Sequence, residues 1–283
     1  YPWIISSGYP LDIIHGYTVP VDSAVETATL LMELPKKSLA DLENLVRQRR
    51  MSMPLTGLLL NELTDRTKPA TVTFSAVGVR EGYVYGHMPR DQSADDPLAA
   101  ATSAFAERES RFNKTDEALL QWLSPVLSVE NRRRRRLQLA VCALSDIAWR
   151  DHPDYRASFA FDRTIEYPFF GIDHMERAFI ALTIYLRYGG KPSDKRVSHI
   201  GSLLSKRAIR RAETLGFGLR LAYRISGGNP GLLEQSRLEI KDDQLSLILP
   251  GGGAAPMHER VARSFERLCQ ARKIKMGPIT ETK

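Results

Sequence analysis

The sequence predicts an α/β segment, then a mainly helical domain, then a β-hairpin followed by a helix. Two observations support this prediction: a hydrophobic period that changes along the 283 residues, and a polar stretch without period at Pro89–Pro97. Before that stretch, strand-like and helix-like runs alternate, as in an α/β unit. After it, helical spacing dominates. The 43% hydrophobic and 26% charged residues are ordinary for a globular protein and exclude a largely disordered chain.

The first segment is predicted to alternate short strands and helices. Ser38 is a residue type that caps helix N-termini, and Pro54 suits a first helical turn because its missing N–H has no partner there. In chain order, the predicted elements are short strands within Tyr9–Val19, helices at Asp22–Met32, Ser38–Arg47 and Pro54–Leu63, a strand at Thr71–Ser75, a turn at Val77–Gly82 and a helical stretch at Tyr83–His87.

Apolar residues at three- and four-residue spacing predict a run of helices beyond the polar stretch. After Ser226–Gly231, two alternating stretches around Lys241–Gln244 predict a β-hairpin. The predicted domains are residues 1–92, 93–225 and 226–283. The predicted helices are Leu98–Glu109, Thr115–Leu127, Arg132–Trp149, His174–Tyr188, Val197–Thr214, Gly216–Ile225 and, after hairpin strands at Arg237–Ile240 and Leu245–Leu249, Met257–Arg272.

Several classes of protein are excluded by simple counts. No apolar run approaches the ~20 residues of a membrane-spanning helix. Cys142 and Cys269 are the two cysteines, and both lie in apolar helical patterns, so a disulfide framework is not expected. We therefore expect a cytoplasmic protein. The chain opens at Tyr1, with neither Met nor a signal peptide, and is interpreted as a piece of a longer chain.

Positive charge is concentrated in one stretch of the helical domain. Residues 187–224 hold ten Lys and Arg against Asp194 and Glu213, a net charge of +8, more than the +7 of the whole chain. Such a field concentrates polyanions. The alternative is an ordinary solvated helix face. Nucleic acid is not favoured, because no aromatic residues alternate with these bases to stack on nucleotides.

A strand-to-helix turn, Ser75–Gly82, is the most specific local pattern. Gly78 permits an unusual backbone angle, and the turn places backbone N–H groups and the Arg80 guanidinium where an anion can bind. Ser75, Gly78 and Arg80 are therefore candidate phosphate-binding residues. The alternative is a tight structural turn in which Arg80 pairs with Glu81 or a neighbour.

The histidines and carboxylates do not predict a metal site. A helical metal-dependent phosphohydrolase of the HD type needs an adjacent His-Asp pair among its ligands, and no His-Asp dipeptide occurs. Asp173-His174 reverses that order at a helix start, where Asp suits an N-cap. No phosphate-binding P-loop or serine nucleophile elbow is present either. We expect no catalytic residue and no metal ligand within these 283 residues.

Four stretches together resemble the exopolyphosphatase and guanosine pentaphosphate phosphohydrolase family. They are Tyr9–Tyr17, Arg50–Gly57, Phe74–Tyr85 and Leu219–Leu233, which follow in the family's order. The resemblance implies that residues 1–92 are part of an actin-like, ribonuclease-H-like lobe and that a degenerate HD-like helical domain follows. It also implies hydrolysis of terminal phosphoanhydrides of polyphosphate or guanosine pentaphosphate, with Mg²⁺ and the catalytic carboxylate upstream of Tyr1, and a homodimer.

The resemblance carries over to a few residues. Arg80 matches the family arginine that faces the phosphate chain, while Ser145 and Gly189 depart from the residues of an intact HD-like site. The basic stretch then suggests a channel for polyphosphate, with Arg207, Arg210 and Arg211 as substrate-binding residues. The competing interpretation is a non-catalytic polyanion-binding or scaffolding module.

Overall fold

The computed structural model describes residues 8–33, 47–112, 115–127, 131–251 and 259–282. The chain divides into two compact units, Tyr1–Met88 and Pro89–Lys283. The C-terminal hairpin and helix belong to the second unit together with the helices before them. In the part of the chain described, no helix combines the length and apolar content needed to span a bilayer.

The first unit contains a small two-stranded sheet and two long helices. Thr18 in β1 pairs with Thr73 in β2 in an antiparallel register. Tyr17 and Val19 are buried together with Ala24, and partly buried side chains such as Phe74 pack around them. The elements are β1 Thr18–Pro20, α1 Val21–Glu33, α2 Arg47–Thr67, β2 Thr71–Thr73 and α3 Val79–Gly86.

Two predictions for the first unit are corrected. Pro54 lies inside α2 and not in its first turn, so the helix tolerates one missing backbone hydrogen bond at that point. The predicted turn at Val77–Gly82 becomes helical from Val79, because the Gly78 N–H donates to the Glu81 carboxylate at 2.7 Å and closes a capping box. The helix predicted at Ser38–Arg47 lies outside the described residues except for Arg47.

The second unit is mainly helical, which confirms that part of the predicted fold class. Its described elements are α4 Arg90–Ser93, α5 Pro97–Glu109, α6 Asp116–Leu123, α7 Arg132–Leu144, α8 Arg156–Glu166, α9 His174–Arg187, α10 Lys195–Ser198, a 3-10 turn at His199–Leu203, α11 Lys206–Ser226, α12 Pro230–Glu234, β3 Arg237–Lys241, β4 Gln244–Leu249, α13 Glu259–Arg272 and β5 Lys275–Glu281.

Helix α9 is the centre of this unit. All of its residues from Ala178 to Leu186 are buried, as expected for a helix that is apolar on every side. It packs against α7, α8 and α11. Gly216 of α11 lies so close to α9 that a β-carbon there would stand 2.8 Å from the Thr183 carbonyl oxygen.

Two predicted helices of the second unit are corrected, and two of its elements were not predicted. The region of the helices predicted at Val197–Thr214 and Gly216–Ile225 contains a short α-helix, a 3-10 turn and the long helix α11. Helix α11 continues through Gly216, and this glycine allows α11 to approach α9 closely. Helix α8 was not predicted. Neither was β5, which follows α13 and pairs parallel to β4.

The predicted C-terminal hairpin is confirmed. Strands β3 and β4 pair antiparallel, from Arg237 with Ile248 to Lys241 with Gln244. The two turn residues, Asp242 and Asp243, have φ of 50° and 58°, the backbone of a two-residue hairpin turn with positive φ at both positions.

Candidate functional site

The predicted anion-binding turn of the first unit, Ser75–Gly82, forms hydrogen bonds within itself. Gly78 has φ −120° and ψ −159°, which is extended backbone, so the unusual angle expected of this glycine is not present. The Ser75 hydroxyl accepts a hydrogen bond from the Val77 N–H at 3.1 Å. Arg80 is exposed. The Gly78 N–H donates to the Glu81 carboxylate, so this amide is not available to bind an anion. The exposed Arg80 guanidinium is available, and the role of this turn in phosphate binding stays a prediction.

The three arginines predicted from the basic stretch lie together on the second unit. Arg207, Arg210 and Arg211 line a cavity of about 490 Å³. Helix α11 is capped at its N-terminus by Ser205, whose hydroxyl accepts a hydrogen bond from the Ala208 N–H at 3.2 Å. The three- and four-residue spacing then places these side chains on one face of the first two turns.

Other arginines at the cavity come from distant segments. Arg133 and Arg134 of α7 and Arg272 of α13 also line it. Sequence analysis missed these residues because their spacing along the chain carries no signal, and only the packing of α7, α11 and α13 brings them to one place.

Two carboxylates at the cavity are already paired. The Arg133 guanidinium lies 2.5 Å from Glu176 and 2.7 Å from Asp173. The hydrogen bond to Glu176 is the main cause of a raised Arg133 pKa. Among the described residues, the ion pairs include none to Arg207 or Arg210.

The floor of the cavity is apolar. Leu137, Phe179 and Leu215 are buried side chains that line it. A cavity lined by both arginines and apolar side chains suits a ligand with two parts. Its anionic group would bind the guanidinium groups, and an uncharged group would contact the apolar side chains.

The position expected for a degenerate HD-like pair is filled by an ion-pair network. Asp146, 3% exposed, pairs with Arg111 at 2.6 Å and lies 3.8 Å from Arg187. The Ser145 hydroxyl hydrogen-bonds the Tyr223 hydroxyl at 2.9 Å, and burial raises the Tyr223 pKa to about 12. The Asp146 carboxylate is thus held by Arg111 through both of its oxygens.

The described residues do not fit a Mg²⁺ site. Within the described ranges, no group of three or more His, Cys, Asp and Glu side chains is arranged to hold a metal ion. Gly189, which departs from the intact HD-like pattern, has φ +107° and lies against the Arg220 guanidinium.

Comparison with known proteins agrees with this architecture. The family model of the exopolyphosphatase C-terminal domain matches residues 98–276, from α5 to the start of β5. Retrograde regulation protein 2 of Saccharomyces cerevisiae is 27% identical in an alignment of 198 residues that covers 65% of this chain and 32% of that protein. The chain thus spans about a third of the length of this curated relative. The match over most of the second unit confirms the predicted resemblance, and this chain belongs to the exopolyphosphatase C-terminal family.

Proposed function

We propose that this chain is the C-terminal part of an exopolyphosphatase or guanosine pentaphosphate phosphatase and that it binds the phosphate chain of the substrate. One observation carries the proposal. Arg207, Arg210 and Arg211 line one cavity, on a unit that belongs to the exopolyphosphatase C-terminal family.

The chemistry of the cavity suits a phosphate chain. Guanidinium groups bind phosphate oxygens through paired, charge-assisted hydrogen bonds. Arg133 engages Glu176 and Asp173, and no ion pair of the described residues joins a carboxylate to Arg207 or Arg210. Several arginines at one cavity can contact successive phosphates without reading any sequence.

The remaining parts of the activity are proposed to lie outside this chain. The resemblance assigns the catalytic carboxylate and Mg²⁺ to the N-terminal lobe of an actin-like pair, upstream of Tyr1, and residues 1–92 to part of the second lobe. In this proposal the exposed Arg80 faces the phosphate chain there, together with Ser75 and Gly78. The second unit also supplies contacts of a homodimer.

A second function is favoured by a separate observation. The curated relative carries the name of a regulation protein. This name supports a non-catalytic polyanion-binding or scaffolding module, in which the cavity binds the same anions without hydrolysis.

Phosphate release separates the two functions. The native protein is assayed with Mg²⁺ against long-chain polyphosphate and guanosine pentaphosphate. Turnover of either supports the phosphatase, and binding without turnover supports the module. In an active protein, Arg207→Glu/Arg211→Glu is expected to raise KM tenfold or more with little change in kcat. The control Lys241→Glu/Lys275→Glu makes the same change in net charge on two exposed lysines and is expected to leave KM unchanged.

A further inference from the structure

We propose that the cavity beside α11 binds a second class of ligand, aliphatic carboxylates, with the hydrocarbon tail inside the cavity and the carboxylate at the arginines of its opening. Such a ligand competes with the phosphate chain and so regulates its binding. The competition rests on the function proposed above, whereas the binding of the aliphatic carboxylate itself does not depend on it.

The cavity is too large to be a defect of packing. Its volume of about 490 Å³ is far above the ~30 Å³ that one water molecule occupies in the liquid, and it lies within the range of about 300–1,000 Å³ of ligand-binding pockets. Helices α7 and α11 both pack against α9, and side chains of all three helices line the cavity. The space between them is therefore large enough for a small organic molecule.

The buried part of the cavity lining is mostly apolar. Val126 and Leu204 line the cavity and are buried, as are Leu137, Phe179 and Leu215. A phosphate chain has no apolar part to place against these side chains, so phosphate binding alone does not explain them. A hydrocarbon tail does have such a part, and each methylene group that it removes from water there adds to its affinity.

The charge of the lining selects an anionic head group. In the part of the chain that the structure describes, six arginines and two carboxylates line the cavity, a net charge of +4. Arg207 and Arg210 are exposed, whereas the apolar side chains of the lining named above are buried. This difference in exposure sets the direction of the ligand, with its carboxylate towards solvent at the guanidinium groups and its tail inward.

The lining favours an aliphatic tail over a nucleobase. Among the described residues that line the cavity, Phe179 is the one aromatic residue, whereas six are leucine or valine. A buried base also needs hydrogen-bond partners for its polar edge. The buried polar side chains of the lining are Gln138, Glu176 and Thr214. Glu176 is engaged by Arg133, and the Thr214 hydroxyl donates to a carbonyl oxygen of its own helix at 2.9 Å.

Calorimetric titration of the 283-residue chain with octanoate tests the proposal. Octanoate should bind saturably below its micelle concentration. Acetate carries the charge without the tail, and octan-1-ol carries the tail without the charge, so each should bind at least tenfold more weakly than octanoate. Octanoate should also weaken the binding of tripolyphosphate in a competition titration. This comparison of ligands needs no variant of the protein.

Two variants separate the tail from the head group. Ala208 lines the cavity, so Ala208→Phe fills part of it without changing its charge. This variant should weaken octanoate binding at least tenfold and leave tripolyphosphate binding unchanged, because phosphate contacts the exposed guanidinium groups. Arg207→Glu/Arg210→Glu should weaken the binding of both ligands. Ala100→Phe, at an exposed position of α5, is the matched control and should change neither. Far-UV circular dichroism checks that each variant is folded.

Each outcome has a separate meaning. If octanoate binds no more tightly than acetate, or binds the folded Ala208→Phe variant as it binds the parent, the proposal is wrong. Octanoate binding that persists in Arg207→Glu/Arg210→Glu also contradicts it, because the head group is then not at the arginines. Binding of octanoate without binding of tripolyphosphate supports the aliphatic ligand and contradicts the proposed function. Binding of GTP that is lost in Ala208→Phe, without binding of octanoate, would show that the apolar lining holds a nucleobase and would overturn the ligand class.

Discussion

Asp146 accepts two side-chain hydrogen bonds from Arg111, 2.9 Å from Nε and 2.6 Å from Nη2, and a third from the Arg111 backbone N–H at 3.1 Å. The Arg111 guanidinium also lies over the Trp149 ring, 5.5 Å from its centre. A buried carboxylate held in this way joins the end of α5 to the end of α7 and fixes the region where a degenerate HD-like pair was expected.

Asp146→Asn is expected to lower the free energy of unfolding by about 3 kcal/mol, because the Arg111 and Arg187 charges lose their buried counter-charge. Urea unfolding measures this change. Arg111→Gln/Asp146→Asn should be less destabilised than the sum of the single variants, since the two side chains are coupled. An Asp146→Asn protein as stable as the parent would show that the ion pair contributes nothing.

Arg177→Met is expected to lower the free energy of unfolding by about 3–5 kcal/mol. Arg177 is 1% exposed and donates to the carbonyl oxygens of Ile165, Tyr167 and Phe169, so the variant leaves several buried acceptors without partners. Burial lowers the Arg177 pKa to about 10. Arg177→Lys should not restore stability, because an ammonium lacks the planar fork. Full rescue by Lys, seen in thermal unfolding, would contradict this account.

Gly216→Ala is expected to destabilise the second unit by about 1–2 kcal/mol. Alanine favours a helix over glycine by about 1 kcal/mol, but its β-carbon would lie 2.8 Å from the Thr183 carbonyl oxygen and 2.9 Å from the Leu186 β-carbon, and overpacking costs about 1–3 kcal/mol. Gly201→Ala is the matched control, since its β-carbon meets no atom within 4 Å. A gain in melting temperature for Gly216→Ala would show that α9 and α11 approach less closely.

The effect of Asp96→Asn is expected to depend on pH. Burial alone raises the Asp96 pKa, but hydrogen bonds from Arg136 and from the backbone of Ala99 and Leu98 lower it overall. A carboxyl with a lowered folded pKa stabilises the protein above its unfolded value of about 3.9, and this contribution is lost as pH falls through the folded pKa. Asn still caps the helix. The difference between the two proteins should be about 0.5–1 kcal/mol at pH 7 and should disappear once the pH falls below the folded pKa of Asp96.

That difference is measured by urea unfolding at several pH values. Asp96→Ala removes the cap as well, and should therefore cost about 1 kcal/mol more than Asp96→Asn at every pH. A difference between the parent and the Asp96→Asn variant that stayed constant from neutral to acidic pH would contradict the ion-pair explanation.

The amphipathic helices and the hairpin were predictable because their periods are local. Helix α8 has an equally clear spacing, with buried Ala160, Phe161, Thr164 and Ile165, and was predictable from that spacing although it was missed. Strand β5 was not predictable in this way. Apolar and polar residues alternate only weakly in β5. The strand forms by parallel pairing with β4, and the whole of α13 separates the two strands in the sequence.

The candidate site was predictable to the extent that its residues share one helix. Arg207, Arg210 and Arg211 follow from spacing on α11, whereas Arg133 and Arg272 reach the cavity only through tertiary packing. Gly78 shows that a local pattern can also mislead. Its sequence pattern fits an anion-binding loop, but its N–H donates to the nearby Glu81 carboxylate.

Direct binding of long-chain polyphosphate, measured at several salt concentrations, tests the central claim that the cavity on α11 binds phosphate chains. The account predicts that Arg207→Glu/Arg211→Glu weakens binding at least tenfold and reduces the dependence of affinity on salt, because fewer counterions are released. Lys241→Glu/Lys275→Glu should leave both unchanged. If the arginine variant keeps the parent's affinity and salt dependence, the cavity is not a phosphate-binding site.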